Sequence, residues 1–412
     1  MPEVFVAGVG MTPFGRLSEH DVKSLTRWAV SDAIQDAGVE LGDIEVAYFA
    51  NAAQGHMEGQ HMIRGQLALR AMGISGIPVI NVENACASAS TALNLAVNAL
   101  KAGQADIALA VGAEKMVSAN KALMFGTFDS AWDVATVERN RDALIRLGQL
   151  VEVPPGSMSD KPYSVFMDVY AAFARDHMYR YGTTRRQMAV VSSKNHDHSA
   201  HNPLAQYQQR FTVEEVLAAP PIAYPLTLPM CAPVSDGAAA AILITGEGLR
   251  RLGTSRSRAV RVLASVVRTG TDRTENEPED HCTVHAARRA YELAGISPAD
   301  ISVAEVHDAT AMGEIIQIEN LQLASRGEGG VISERGDTRV GGRIPVNPSG
   351  GLESKGHPIG ATGLAQIYEL VAQLRGEAGR RQVSSARIGV AENGGGVIGV
   401  EEAVATVTVL GT

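Results

Sequence analysis

The stretch Ala37-Gly-Val-Glu-Leu-Gly-Asp-Ile-Glu-Val-Ala47 returns 257 residues later as Ala294-Gly-Ile-Ser-Pro-Ala-Asp-Ile-Ser-Val-Ala304, with six of its eleven positions identical. A helical pattern precedes each copy, over Val22–Asp36 and Asp280–Leu293, and a strand pattern continues the first copy over Ile44–Phe49. A helix–loop–strand unit that recurs at a fixed distance indicates an internal duplication. The sequence therefore predicts two similar halves, about 1–115 and 256–412, that pack face to face.

The region between the halves has a different character. Residues 116–230 contain Val153-Pro-Pro-Gly156 and Pro220-Pro221, which are typical of loops. They also contain a helical pattern at Val165–Tyr181, so we predict loops with helices there rather than a third sheet. A buried strand pattern resumes over Val234–Thr245, and we assign it to the first half. Short β-branched runs alternate with helical patterns elsewhere, which predicts an α/β fold. The predicted division is an N-terminal half at 1–115 plus 231–255, a loop domain at 116–230 and a C-terminal half at 256–412.

The composition of the 412 residues excludes several classes of protein. Hydrophobic residues make up 45% and charged residues 20%, as in ordinary globular proteins. The formal charge of −9 disfavours nucleic acid as a partner, because phosphate binding needs a basic face. No apolar run approaches the roughly 18–20 residues that span a bilayer, and the first residues lack the features of a signal peptide. Three cysteines are typical of a reducing compartment, so we expect a cytoplasmic protein without membrane contact.

Cys86 is the first candidate for chemistry. It lies in Asn81-Val-Glu-Asn-Ala-Cys86-Ala-Ser, after a predicted strand at Pro78–Val82 and before an alanine-rich helix. A thiol at a helix N-terminus is close to the positive end of the helix dipole, which favours the reactive thiolate. A buried, unreactive cysteine is the alternative that the residues alone leave open.

His357 is the second candidate, in Asn347-Pro-Ser-Gly-Gly-Leu-Glu-Ser-Lys-Gly-His357-Pro-Ile-Gly-Ala-Thr-Gly363. Flanking glycine and proline hold the histidine on a tight turn, as a general base requires. A structural histidine is the alternative. Because Cys86 and His357 occupy matching places in the two halves, we predict that they form a Cys–His pair across the pseudo-twofold axis.

Four motifs, in this order, resemble those of the thiolase superfamily, most closely the sterol carrier protein X type of acetyl-CoA acetyltransferase-like thiolases. The motifs are Asn84-Ala-Cys86-Ala-Ser88, Cys231-Ala-Pro-Val-Ser-Asp-Gly237, Val303-Ala-Glu-Val-His307-Asp-Ala309 and Asn347–Gly363. The resemblance covers nearly the whole chain, apart from about 130–160. It implies the thiolase fold, with duplicated halves in five αβαβα layers and an inserted loop domain, and a homodimer or dimer of dimers.

The resemblance also implies an acyltransferase with ping-pong chemistry on acyl-CoA, with CoA as a substrate and no permanently bound cofactor. Cys86 would carry the acyl group, and His357 would activate Cys86 and then the incoming CoA thiol. His307 would help to bind the thioester oxygen. The backbone N–H groups of Cys86 and Gly394 would form the oxyanion hole. The loop domain would bind CoA and the acyl chain, and the residues matched near the reacting atoms are Phe166 and Met167.

The sequence departs from the thiolase pattern at the second, acid/base cysteine. The usual Cys-x-Gly-Gly-Gly motif reads Glu392-Asn-Gly-Gly-Gly396, and the position of the cysteine in the sterol carrier protein X type holds Ala309. A leaving carbanion still needs a proton, and a buried carboxyl group with a raised pKa can donate one. We therefore predict Glu392 as the acid, with a purely loop-ordering role as the alternative. Cys231 and Cys282 are interpreted as structural.

The predicted function is degradative cleavage of a 3-oxoacyl-CoA, or the reverse Claisen condensation, on a branched, aryl or dicarboxylic acyl group such as that of a benzoylsuccinyl-CoA. One alternative is a retro-aldolase acting on an acyl-CoA side chain, although an intact Cys–His pair argues against it. Another is a thiolase-like subunit that works with a small zinc-ribbon/OB-fold partner. The spacing in His196-Asp-His198-Ser-Ala-His201 matches no standard zinc site, so we expect a polar loop there and no metal.

Overall fold

The computed structural model describes residues 2–253 and 258–412, so the predicted junction at 255–256 lies outside the described residues. Its strands are β1 (Val4–Met11), β2 (Val46–Ala50), β3 (Val79–Val82), β4 (Ile107–Glu114), β5 (Pro221–Ala223), β6 (Leu226–Thr227), β7 (Gly237–Thr245), β8 (Val260–Thr269), β9 (Val303–Glu305), β10 (Ile388–Ile398) and β11 (Glu401–Gly411). Its α-helices are α1 (Val22–Ala37), α2 (Gln54–Glu58), α3 (Arg64–Arg70), α4 (Ser88–Lys101), α5 (Lys121–Gly126), α6 (Val137–Gly148), α7 (Val165–Tyr181), α8 (Arg185–Ser199), α9 (Val213–Ala218), α10 (Gly246–Leu252), α11 (Cys282–Ala294), α12 (Ala311–Asn320), α13 (Gly329–Glu334) and α14 (Thr362–Arg375).

The large sheet has the same strand order in both halves. The order is β3-β2-β4-β7-β1 in the first half, and it continues through β8-β11-β10-β9 in the second. Val346 forms a parallel bridge with Ala304 of β9, in the place that β3 takes beside β2. The two halves join where β1 pairs with β8, through Phe5 with Arg261 and Val6 with Val260. The sequence repeat thus corresponds to a repeated strand topology.

Helices α4 and α14 lie between the two halves of the sheet. Their apolar faces share one buried core, which includes Leu93, Val97, Leu364 and Leu370. Helix α1 covers the outer face of the first half and α11 covers the outer face of the second, each over its own apolar core. Burial of these apolar faces is the main stabilising term of such layers. The predicted α/β class is confirmed.

The middle region is mainly helical, from α5 to α9, and it also contains a two-stranded antiparallel sheet of β5 and β6. The prediction of loops with helices and no sheet was therefore incomplete. Strands of two or three residues are too short to produce a visible alternation of polar and apolar side chains. The predicted limits 1–115, 116–230 and 256–412 remain our proposal for the domain division. In the described part of the chain, every helix is too short or too polar to cross a membrane.

Asp236 holds together the two points where the chain leaves and re-enters the first half. Its buried carboxylate accepts hydrogen bonds from the backbone N–H groups of Leu17, Met116 and Val117. The Lys115 ammonium lies 2.5 Å from the same carboxylate. Hydrogen bonds to a charged acceptor are stronger than neutral ones, so Asp236 fixes the base of the middle region on the sheet.

Candidate active site

Cys86 lies on a tight turn between β3 and α4. The preceding residue, Ala85, has a φ of 47°, a left-handed conformation that is uncommon for residues other than glycine. The turn is held locally, because the Glu83 carboxylate accepts from Ala85 N–H and the Ser88 hydroxyl donates to the Ala85 carbonyl. Strained turns of this kind persist where the surrounding structure fixes them, which is common in active sites. The predicted strand–turn–helix setting of Cys86 is therefore present.

Strand β10 packs directly on this turn. A Cβ atom at Gly395 would lie 2.3 Å from the Asn84 carbonyl oxygen and 2.8 Å from the Ala87 nitrogen. Real Cβ atoms do not approach backbone atoms so closely, because packed atoms are about 3.5–4.0 Å apart at their optimum. The sequence suggested a glycine loop here, but the motif is part of a strand whose backbone lies against the residues that flank Cys86.

His357 is oriented for proton transfer with Cys86. Its Nε2 atom lies 3.3 Å from the Cys86 Sγ atom, and its Nδ1 atom lies 2.7 Å from the Thr362 hydroxyl. That hydroxyl donates its own hydrogen to the Pro358 carbonyl, so its oxygen is free to accept the Nδ1–H. The proton is then on Nδ1, which leaves Nε2 as the acceptor for the Cys86 thiol. The Ser235 hydroxyl accepts the His357 backbone N–H and fixes the turn.

The resting pair is a neutral thiol beside a neutral imidazole. Burial, with a further contribution from the Glu114 carboxylate, raises the pKa of the Cys86 thiol to about 12. The Cys86 side chain is only half-buried towards the cavity, but protein atoms surround it densely enough to remove most of its hydration. Burial also lowers the pKa of His357 well below its usual value. Burial therefore opposes the helix dipole that favours the thiolate, and α4 begins two residues after Cys86, at Ser88.

His307 joins the pair from the second half of the chain. One donor atom each of Cys86, His307 and His357 lie within 4.8 Å of one another. Both ring nitrogens of His307 are buried without a hydrogen-bond partner among the described residues. Burial lowers the pKa of His307 to about 4, so the ring is neutral and carries one free N–H. An unpaired buried N–H is costly, and because His307 lines the cavity, its ring can donate to a substrate oxygen there.

Glu392 lies next to the backbone of His307. Its Oε2 atom accepts the backbone N–H of His307 at 2.9 Å, and its Oε1 atom has no partner among the described residues. The side chain is fully buried, and burial and the nearby Glu402 carboxylate raise the pKa of Glu392 well above its usual value. Burial therefore favours the neutral form of Glu392, and one of its oxygens is unpaired among the described residues.

Glu402 is a candidate active-site residue that the sequence analysis missed. A Cβ atom at Gly394 would lie 2.6 Å from Glu402 Cγ and 3.1 Å from His307 Nδ1, so both side chains press on the same glycine. The Gln317 amide donates to Glu402, and the His281 ring lies 3.0 Å from its other oxygen. His281 lowers the pKa of Glu402 to about 2 against the effect of burial, so the carboxylate is ionised. The available signal was the acidic pair Glu401-Glu402 at the start of an apolar strand.

The reacting groups open onto a cavity of about 520 Å³. Phe166 and Met167 line it, and so does Cys231, one of the two cysteines interpreted as structural. The Cys231 thiol is buried and donates to the Thr227 carbonyl, and burial raises its pKa. Other lining residues are mostly apolar or aromatic and include Met124, Phe125, Phe128, Tyr170, Phe173, Phe211, Ile222, Leu228, Ile359 and Val397. An apolar enclosed space of this kind is typical of a small-molecule site.

The histidine cluster at His196, His198 and His201 is at the end of α8 and just after it, not in the polar loop that we expected. His198 is buried between the Asn347 carbonyl and the Val340 N–H, and burial lowers its pKa to about 3. His196 contacts the Ser354 hydroxyl and the Pro229 carbonyl. Each of these two rings therefore has its own backbone or hydroxyl partners.

Comparison with known proteins gives matches along the whole chain. The protein-family model described as thiolase, N-terminal domain, matches residues 4–217. The family model described as thiolase C-terminal domain-like matches residues 266–412. An acetyl-CoA acetyltransferase of Methanothermobacter thermautotrophicus is 41% identical over 97% of this chain and 98% of its own length. Benzoylsuccinyl-CoA thiolase subunit BbsB of Thauera aromatica is 34% identical over 92% of this chain and 91% of its own length.

A solved structure of an Ltp2-ChsH2(DUF35) aldolase has a TM-score of 0.78 and 22% identity, over 100% of this chain and 98% of that chain. A likeness at this identity shows the fold alone. The duplicated α/β fold that the motifs implied is confirmed.

Proposed function

The chain belongs to the thiolase family of acyltransferases, and we propose that it cleaves a 3-oxoacyl-CoA with CoA through an acyl-Cys86 intermediate, in the degradative direction. The reverse Claisen condensation uses the same groups. The observation that carries this proposal is the 3.3 Å contact between His357 Nε2 and Cys86 Sγ, at the wall of the cavity and beside the unpaired ring of His307.

In the first half-reaction, Cys86 attacks the C3 carbonyl of the substrate. The thiol proton passes to His357 Nε2 as the sulfur–carbon bond forms, so the thiol need not ionise beforehand. The C2–C3 bond then breaks, and its electron pair stays on C2 of the leaving acyl-CoA as an enolate. The free N–H of His307 and the protonated His357 face the thioester oxygen on which this charge develops.

In the second half-reaction, CoA releases the acyl group. After Glu392 has protonated C2, the proton that His357 took from Cys86 passes to the Glu392 carboxylate, so His357 is neutral again. The CoA thiol then gives its proton to His357 and attacks the acyl-Cys86 carbonyl, and the Cys86 sulfur leaves and takes that proton back from His357. The N–H groups of Cys86 and Gly394 stabilise the oxyanion, which we infer from the contact of β10 with the nucleophile turn. Preorganised donors of this kind contribute about 3–4 kcal/mol each in other enzymes.

Glu392 supplies the proton that the enolate needs at C2. The support is that its carboxyl is neutral, next to His307 and unpaired at one oxygen. Glu392→Gln should leave acylation of Cys86 by a simple acyl-CoA intact and abolish 3-oxoacyl cleavage. Hydrogen–deuterium exchange at C2 of acetyl-CoA should be lost in the same variant. Retained exchange and cleavage would assign Glu392 a purely structural role.

The acyl group is branched, aryl or dicarboxylic. The cavity is large and has many aromatic side chains in its lining, Phe166 and Met167 line it together with Cys86, and one relative is named for benzoylsuccinyl-CoA. The chain acts in the cytoplasm as a homodimer or dimer of dimers. A small zinc-ribbon/OB-fold subunit assists it, since the BbsB relative is named as a subunit and the aldolase neighbour contains a DUF35 chain. Co-purification from the native host tests this, and full activity of the lone chain would contradict it.

The proposal is tested by intact-protein mass after mixing with a panel of 3-oxoacyl-CoAs in the absence of free CoA. The wild-type chain should gain one acyl group, whose mass identifies the substrate, and Cys86→Ala should gain none. Cys231→Ala is the matched control, because this thiol lines the same cavity but lies in another environment. Substrate consumption without an adduct would favour the retro-aldolase alternative.

A further inference from the structure

Glu353 is a buried carboxyl group that the mechanism does not use. It lies four residues before His357, its side chain is fully buried, and it lines the same cavity as Cys86. Neither carboxyl oxygen has a hydrogen-bond partner among the described residues. The neighbouring Ser192 hydroxyl donates instead to the Pro229 carbonyl. A buried polar group without a partner is rare in native structures and calls for a specific explanation.

The backbone fixes the position of Glu353. It is carried by a single π-helical turn, Gly351–Lys355, and such turns are frequent at functional sites. The Asp308 carboxylate accepts the N–H groups of Leu352 and Glu353. A Cβ atom at Gly351 would lie 2.0 Å from Asp308 Oδ2, so only glycine allows the turn to approach this carboxylate. Glu353 is thus placed at the cavity wall, where the Ser192 hydroxyl is near its carboxyl but burial and the neighbouring acidic groups outweigh that interaction.

The surroundings favour the uncharged form of Glu353. Burial, with Asp308 and Glu314 nearby, raises its pKa well above the usual value. The neighbouring cation, Lys194, is paired with Glu314. A neutral carboxyl has one O–H donor and a free carbonyl acceptor. A hydroxyl or a ketone brought to this wall would satisfy both needs.

We propose that Glu353 determines acyl specificity by hydrogen-bonding an uncharged oxygen function, a hydroxyl or a ketone, that the acyl group carries in addition to its 3-oxo group. The inference rests on the proposed function, because it assumes that the acyl chain occupies the cavity beside Cys86. A site that is built to hydrogen-bond a substrate group discriminates strongly against the analogue that lacks it, because the site is then left unpaired. Much of the remaining wall is apolar or aromatic, so apolar parts of the acyl group can pack beside this oxygen.

The test is binding without turnover, by calorimetry on protein that carries Cys86→Ala. The probes are octanoyl-CoA and its monohydroxy derivatives, with the hydroxyl at each carbon from the fourth to the last. One position should bind at least about tenfold more tightly than octanoyl-CoA, since a buried unpaired group loses that much or more. Glu353→Leu should remove the preference and improve octanoyl-CoA binding, and Glu353→Gln, which still donates and accepts, should retain part of it.

Two results would overturn the proposal. One is an equal affinity for all probes in protein that keeps Glu353, and the other is a preference that persists in Glu353→Leu. Glu353→Gln keeps the shape of the side chain, so the comparison stands even where the leucine variant does not fold. Failure of the proposed thiolase chemistry would appear separately, as the absence of an acyl-Cys86 adduct in the mass experiment.

Discussion

Gly395→Ala tests whether the close contact between β10 and the nucleophile turn sets the Cys86–His357 distance. The added methyl group would lie 2.3 Å from the Asn84 carbonyl oxygen and 3.0 Å from the Ala87 Cβ. Relief of the first overlap needs a movement of about 1 Å, given the usual contact distance of about 3.5 Å. A misplacement of about 1 Å can slow catalysis about 100-fold, and overpacking destabilises a protein by about 1–3 kcal/mol.

We therefore expect the acylation rate of Cys86 to fall about 100-fold, with a modest loss of stability. The assay is rapid-quench mass spectrometry of the acyl-enzyme, beside a melting curve of the same protein. Gly42→Ala is the matched control, because a Cβ at Gly42 would meet no atom within 4 Å. Wild-type acylation by a folded Gly395→Ala variant would show that the turn tolerates displacement and that β10 does not set the geometry.

Three further predictions use the same acylation and stability measurements. Thr362→Val removes the acceptor of His357 Nδ1–H. The lost hydrogen bond contributes about 1–3 kcal/mol, so acylation of Cys86 should slow about 10- to 100-fold. Thr362→Ser should restore most of the rate, and an unchanged rate in the valine variant would refute the tautomer assignment. Because burial raises the pKa of Cys86 to about 12, iodoacetamide should label it more slowly at pH 8 than an ordinary thiol, with a rate that still rises at pH 10; an inflection below pH 7 would instead reveal a thiolate–imidazolium pair. Asp236→Asn removes a buried charge partner and should lower the free energy of unfolding by about 3–5 kcal/mol, whereas Glu138→Gln, at an exposed ion pair, should change it by less than about 1 kcal/mol; equal melting temperatures would contradict this.

The fold could be predicted from the sequence because one sequence unit occurs twice in the chain. Two copies of one helix–loop–strand unit, at Ala37–Ala47 and Ala294–Ala304, correspond to two copies of one strand order. Regular elements such as α7 were located because apolar side chains recur at helical spacing along 17 residues. The hairpin of β5 and β6 could not be predicted, because its few residues carry no measurable period. The burial that raises the pKa of the Cys86 thiol comes from elements distant in the sequence, so the local sequence does not reveal it.

The residues of the site could be predicted only where they belong to a recognisable sequence motif. Cys86, His307 and His357 come from three separate motifs, and the structure brings them within 4.8 Å of one another. Glu402 and Glu353 were not predicted as site residues from any motif, because an acidic residue in a strand or a turn is usually exposed. Their importance comes from complete or nearly complete burial at the cavity wall. Only the packing of both halves makes that burial visible.

The duplication explains why this site lies where it does. Cys86 precedes α4 and His357 precedes α14, and these two helices occupy the same central layer. Each half therefore contributes one reacting group from an equivalent turn, and neither half has both. The approach of the two helices depends on Gly363, where a Cβ would lie 2.6 Å from the Ser90 nitrogen. A side chain at this position would separate α4 from α14 and, with them, Cys86 from His357. The same close packing of small residues that builds the central layer thus also sets the distance over which the thiol proton moves.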